Sequence, residues 1–198
     1  QKTGTEWLYR ISQDPKRLAA RYAKNFSVFP VFFRNILAWR KERQKIFDEI
    51  SGDKLQIKTA SILDLLPILR LQKLGFDSSM VSIKALMVTL LFTAVRVKAT
   101  VNGKVVGYLN ADINSKDKIC WWGAMAVDPD QRGLGIGRRL IQASEKVIWV
   151  ENSYCLVAVS NVSAIGLYEK IGFEKTKTVP SYYATGEDAY EMKKIISD

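Results

Sequence analysis

Histidine is absent from all 198 residues of the chain. The side chain that most often serves as general base or metal ligand near neutral pH is therefore missing. Hydrolase triads in which histidine activates serine or cysteine are excluded. Cysteine is almost absent too: Cys120 and Cys155 are the two thiols, both in apolar runs and without CxxC spacing. Neither a disulfide framework nor a zinc site is expected, and a reducing compartment fits. No stretch reaches the roughly 18 uncharged apolar residues of a membrane-spanning helix, and the first residues lack a signal-peptide core with a cleavage site. The expectation is a cytoplasmic protein without metal.

What is present is an ordinary globular composition, 47% hydrophobic and 25% charged, long enough for one well-buried core plus an extension. The net charge of +10 is uneven, because residues 1–50 hold 11 Lys or Arg against 5 Asp or Glu. That segment also carries nine of the 21 aromatic residues, among them Trp7, Phe26, Phe33 and Trp39. Helical patterns run from Lys16 to Asn25 and from Val31 to about Ile50, and Ser51-Gly52-Asp53 reads as a stop. Two domains follow: a basic aromatic helical extension over 1–53 and a second unit over 54–198.

From Leu55 the pattern alternates between strands and helices. Strands are expected at Leu55–Thr59, Thr93–Val101, Val105–Ile113, Lys118–Val127, Cys155–Val159, Phe173–Val179 and Ala189–Ile195. Helices are expected at Ile62–Leu74, Ser79–Leu91 and Gly137–Val150, with another running from the Asn161 cap to Gly172. Asn102-Gly103 is a strong hairpin signal.

The segment Val127 to Leu140, VDPDQRGLGIGRRL, places Gly133, Gly135 and Gly137 between a strand and a helix. Several backbone N–H groups can converge there without Cβ obstruction, as in an anion cradle. The positive end of the helix dipole adds to it, and Arg138 and Arg139 in the first turn suggest a phosphate partner. The loop lacks the Gly-Lys-Ser/Thr of a Walker A motif, and Arg138 stands where the dinucleotide fingerprint needs its last glycine.

The spacing of Arg132, Gly135 and Gly137 resembles the R/Q-x-x-G-x-G/A motif of the GNAT acetyltransferase superfamily, preceded by the strand end Ala126-Val127-Asp128-Pro129. A second signature follows from Asn161 through Tyr168 to Gly172-Phe173, and the likeness covers approximately Leu55 to Ile195. It implies an α/β fold with a mixed, mostly antiparallel seven-stranded sheet flanked by helices. It also implies acetyl-CoA as cosubstrate, with its pyrophosphate on Arg132, Gly133, Leu134, Gly135, Ile136, Gly137 and Arg138. The pantetheine arm would pair with Met125, Ala126 and Val127, and Asn161 would add a hydrogen bond. Val127 N–H would polarise the thioester carbonyl, and Tyr168 would be the general acid toward the departing thiolate.

The run from Ser181 to Met192 resembles the Tyr-Tyr…Gly-Glu-Asp-Ala segment of N-terminal protein acetyltransferases, including the ribosomal-protein alanine type. There Tyr182 and Tyr183 would hold the backbone of the acceptor. One departure stands out: the glutamate base of the ribosomal-protein enzymes would fall at Leu156, and a common arginine at Ala158. Glu187, Asp188 and Asp112 are weak substitutes, more simply read as solvated surface acids. The expected activity is acetyl transfer to a primary amine, an α-amino group first, with a small-molecule amine or a catalytically silent CoA sensor as alternatives. The basic aromatic extension fits contact with an anionic membrane or RNA, or else packing on the core or across a dimer.

Overall fold

The computed structural model describes residues 41–52, 54–76 and 82–196. Expectations about the earlier helices and about residues 77–81 lie outside them. Residues 41–50 are helical (α1). Then come β1 (Leu55–Thr59), a 3-10 turn (Ile62–Asp64), α2 (Leu65–Gly75), α3 (Ile83–Phe92), β2 (Val95–Val101), β3 (Lys104–Asn114) and β4 (Ile119–Val127). A 3-10 turn (Pro129–Gln131), α4 (Ile136–Glu145), β5 (Asn152–Ala158), α5 (Val162–Lys170), β6 (Glu174–Val179) and β7 (Ala189–Ile195) complete the order.

All seven strands form one sheet in the order β1-β2-β3-β4-β5-β7-β6. Every neighbouring pair is antiparallel except β4 with β5, so the mixed, mostly antiparallel seven-stranded sheet is borne out. Asn102 and Gly103 turn the β2–β3 hairpin at φ 49 and 76°, as a tight turn between right-twisted strands requires. Several expected boundaries move, β5 for instance beginning at Asn152 instead of Cys155, and two of the shifts have a visible cause. The helix expected to begin at Ile62 opens with a 3-10 turn in which the Asp64 carboxylate accepts the Ser61 N–H at 2.9 Å, and Pro67 falls in the first turn of α2, where its missing N–H costs nothing. The helix expected to reach Val150 stops at Glu145, because Val147 and Ile148 close tighter turns on Ser144 and Glu145 and Ile148 and Val150 enter the core.

The alternating apolar residues of β2, Val95, Val97 and Ala99, are buried with Ile136, Leu140 and Ile141 of α4. Phe47 of α1 belongs to the same core and is fully buried. Arg43, one turn earlier, donates to the Ala94 carbonyl at 3.1 Å. On the other face α2 and α3 bury Ile68, Leu71, Leu86 and Leu90 around Tyr108 and Ala126. The two cores meet through β3 and β4, and that places the ends of β4 between them.

Candidate active site

β4 and β5 are paired only from Ile119↔Asn152 to Trp122↔Cys155. Beyond that rung the two strands part, and each keeps its other neighbour, β3 or β7. Asp128 N–H bonds back to the Val106 carbonyl at 2.9 Å. Since N–H directions alternate along a strand, Val127 and Met125 turn theirs toward the gap. Two backbone donors on an open edge are what an amide-bearing ligand needs in order to add as a strand.

The donors depend on a break in the strand. Leu109 faces Met125 and Ala111 faces Trp122, so Gly123 and Ala124 together oppose Asn110. This is a β-bulge, which reverses the alternation downstream. It sends Ala126 into the α2–α3 core while Trp122 belongs to the α4 core. The Asn110 side-chain oxygen accepts the Ala124 N–H at 3.1 Å. A Cβ on Gly123 would stand 2.4 Å from Asn110 Nδ2, so any larger residue would displace the Asn110 amide from its bond to Ala124.

At the far end of β4 the glycine turn begins. Arg132 Nε donates to the Val127 carbonyl at 3.3 Å, which ties the turn to the open edge. Gly133 and Gly135 have φ 79 and 75°, left-handed values that favour glycine, and Gly135 is the N-cap of α4. The first helical N–H to close internally is Arg139 on Gly135, so those of Ile136, Gly137 and Arg138 face outward, as an anion site at a helix N-terminus requires. Ile136 contributes only backbone because its side chain is buried, while Leu134 is exposed. The Arg139 guanidinium is turned elsewhere, donating to the Ile50 carbonyl at 3.4 Å.

Asn161 caps α5 through its side-chain oxygen, which accepts the Ala164 N–H at 3.1 Å, so the Nδ2 amide is what a ligand would meet. Seven residues on, Tyr168 is 6% exposed and stacks edge-on against Phe173 at 5.3 Å. Burial raises its pKa well above the ordinary phenol value, and Cys155 and Tyr183 add to the shift. The phenol therefore keeps its proton across the physiological range, so it can serve as a donor and not as a base. Burial likewise pushes the Cys155 thiol up to about 12, so it is no nucleophile.

On the face opposite α4 a cleft of about 550 Å³ opens at the gap, lined by Phe76, Trp121, Trp122, Leu156, Tyr182 and Tyr183 among others. Tyr182 and Tyr183 meet edge-on at 5.0 Å, and Tyr183 Oη donates to the Leu156 carbonyl at 3.5 Å. Among the described residues, none that line the cleft is a carboxylate. The sequence left Glu187 and Asp188 as weak base candidates, and both carboxylates are occupied in the loop. Glu187 accepts the Ser160 N–H at 3.0 Å and Asp188 the Ser181 N–H at 2.8 Å. Hydrogen bonds from the Ser160 side chain and backbone draw the Glu187 carboxyl below the usual carboxylate range. Glu187 thereby fixes the tyrosine loop to the β5–α5 turn that carries Asn161, while Asp188 closes the loop on itself. Asp112 sits toward the other end of β3 and accepts its neighbour's N–H.

Sequence reasoning missed Asn110 and the clamp made by Glu187. For the first a signal was available, a lone asparagine inside the apolar run Val105 to Ile113. The second depends on loop closure.

Comparison with known proteins follows the same lines. A family model for the acetyltransferase (GNAT) domain matches residues 94–175, and one for the glycosyl transferase WecG/TagA/CpsF family matches residues 1–46. An N-alpha-acetyltransferase of Sulfurisphaera tokodaii is 33% identical over 162 residues, covering 71% of this chain and 93% of that protein. An N-alpha-acetyltransferase of Saccharolobus solfataricus is 45% identical over 73 residues, and there the chain spans only 44% of the relative. The ribosomal-protein-S18-alanine N-acetyltransferase of Escherichia coli superposes with a TM-score of 0.65 at 26% identity, covering 73% of this chain and 95% of that one. With the split between β4 and β5, the glycine turn and these relatives together, the chain belongs to the GNAT acetyltransferase family, enzymes that draw on acetyl-CoA.

Proposed function

We propose that the chain transfers acetyl from acetyl-CoA to the α-amino group of a polypeptide. The observation that carries this reading is the continuity of the site. The glycine turn leads to the open edge at Val127 and Met125, and that edge leads through the gap to a cleft walled by Tyr182 and Tyr183. Pyrophosphate rests on the N–H groups of residues 133–138, and the pantetheine amides pair with the β4 edge. The thioester carbonyl takes a splay-facing N–H, which favours the charge that develops on its oxygen. Tyr168 donates to the sulfur as the C–S bond breaks. With Leu156 in place of an acid, the amine loses its proton to water in the cleft. Among its described residues the cleft is aromatic and uncharged, which disfavours polycationic acceptors and suits a chain terminus whose backbone the tyrosine pair can hold.

A second reading, an amino-sugar acceptor, is favoured by one observation, the glycosyl transferase match over residues 1–46. Aromatic walls such as Trp121 and Tyr182 also suit a hexose face. Thiol release from acetyl-CoA, measured with short peptides, polyamines and hexosamines side by side, separates the two. Peptide-dependent release supports α-amino transfer, and release with hexosamines alone moves the acceptor to a sugar. Docking of residues 1–50 on anionic membrane or RNA is tested by co-sedimentation with and without them, and pairing of two copies by sedimentation of the full chain.

A further inference from the structure

α3 is apolar at eight of its ten positions, yet only Leu86 and Leu90 are buried. A helix apolar on all sides is normally enclosed by protein. Here Ile83, Met87, Val88 and Leu91 are exposed instead. α3 packs beside α2 and beside the 3-10 turn at Ile62–Asp64, and these add Leu63 at 90% exposed, Leu66 at 70% and Leu74. Along α2 the outward residues Leu66, Arg70, Lys73 and Leu74 follow the spacing of one helix face. Large aliphatic side chains gathered on one surface mark a place where something docks.

The exposed charge on this face has one sign. Arg70, Lys73 and Lys84 are exposed, and the single acid within 61–76 and 82–92 is Asp64, which is buried and bridged to Lys98 at 2.5 Å. Two copies meeting here about a two-fold axis would set these cations against one another, so the charge calls for an anionic occupant. The apolar side chains say which kind. None of them is Trp or Tyr, the residues that most often anchor a protein partner in a pocket. The cations stand on long stems, which lie along an apolar layer while the charged head stays in water. At 11 and 10 residues, α2 and α3 are too short to cross a bilayer, and helices of that size lie in the interface plane. The net charge of +10 draws the chain toward the same kind of surface.

We propose that the outer face of α2 and α3 docks on an anionic lipid surface. Leu63, Leu66, Met87 and Leu91 enter the boundary between headgroups and acyl chains, and Arg70, Lys73 and Lys84 meet the phosphates. Gln72 and Phe76, at the end of α2, help to line the cleft, so docking holds the acceptor site close to the lipid. The inference stands apart from the choice of acceptor amine and from acetyl transfer itself.

The test is co-sedimentation of the full chain with vesicles of phosphatidylcholine alone and of equal parts phosphatidylcholine and phosphatidylglycerol. The parent is compared with a Leu66→Glu, Leu91→Glu double variant and an Arg70→Gln, Lys73→Gln, Lys84→Gln triple variant. The parent is expected to bind the anionic vesicles more tightly than the neutral ones. The triple variant should weaken anionic binding by about 5-fold for each cation replaced, and the double variant by about 10-fold or more for each leucine withdrawn from the lipid. All five side chains are exposed, so thermal melts should match the parent and report that each variant is folded. A parent that binds neither vesicle overturns the proposal and leaves the face to a protein partner. Anionic binding that both folded variants keep in full also overturns it, since other residues then carry the contact. A parent that sediments as a dimer, and as a monomer once Leu66 and Leu91 are replaced, overturns it in favour of a second copy.

Discussion

The Asn110 side-chain oxygen accepts the Ala124 N–H at 3.1 Å, at the one rung where two residues of β4 oppose one of β3. The bond satisfies an N–H that the bulge removes from the ladder. It thereby holds the reversal that turns Met125 and Val127 into the gap. Asn110→Leu leaves that N–H unpaired at a cost of about 1–3 kcal/mol. We expect a raised KM for acetyl-CoA, a lower melting temperature, and partial recovery in Asn110→Asp, which retains an acceptor. Kinetics with acetyl-CoA as the varied substrate, beside thermal melts, check this. A KM unchanged in Asn110→Leu would remove the residue from the site.

Tyr168→Phe keeps the aromatic contact with Phe173 and deletes the donor. Loss of a general acid costs about 100-fold or more in kcat, while CoA affinity should hold, because in the proposed mechanism the phenol acts on the breaking bond. The raised pKa of Tyr168 comes first from burial, so no alkaline limb of the rate profile in the physiological range should belong to it. A limb that vanishes in Tyr168→Phe would contradict the assignment.

Most of this arrangement was legible before the structure. The seven strands follow from alternation and from Asn102-Gly103, and the cradle from glycines whose spacing only a strand-to-helix turn uses. The bulge was not, because Trp121 to Val127 is apolar on both faces and periodicity carries no information about a slip between them. The role of Glu187 was hidden for a different reason. An exposed acid in a turn reads as solvated until the chain closes and brings Ser160 N–H to it. Phe47 was assigned to the extension because Ser51-Gly52-Asp53 breaks the helix. The break is real, but the chain turns back there: Ser51 Oγ accepts the Ile57 N–H at 2.9 Å and α1 packs on the same core.

The burial of Phe47 makes a direct stability prediction. Truncating a buried Phe to Ala costs about 3–5 kcal/mol, so Phe47→Ala should lower the unfolding free energy by that order in denaturant titrations. A chain that begins at residue 43 should retain cooperative unfolding. One that begins at residue 54 should lose it or bind CoA poorly, since Ile57 and Val95 would lose their cover.

The Gly turn can be tested at a single position. A Cβ at Gly135 meets nothing within 4 Å, so Gly135→Ala introduces no clash and isolates backbone strain at φ 75°. Left-handed backbone costs a non-glycine residue about 1–2 kcal/mol. We expect weaker CoA binding by calorimetry, with little change for desphospho fragments that do not reach the turn. Equal losses for both ligands would place the effect outside the phosphate cradle.

The Glu187 clamp carries a sign that pH can read. Hydrogen bonds from the Ser160 side chain and backbone N–H hold its carboxyl below the usual carboxylate range. A carboxyl whose folded pKa is depressed adds stability that is fully present above the unfolded value and is lost as pH falls through the folded one. The tyrosine loop should therefore stay docked at neutral pH and loosen only in acid, below the ordinary carboxylate range. Near-ultraviolet dichroism of the Tyr182–Tyr183 pair should show an acid transition in the parent that is absent in Glu187→Ala, whose loop is already released. At neutral pH the same variant should raise the KM for the acceptor more than that for acetyl-CoA, because the clamp holds the acceptor wall directly and reaches Asn161 only through its neighbour. A rise confined to acetyl-CoA would mean that Ser160 and Asn161, not the tyrosines, depend on the bond.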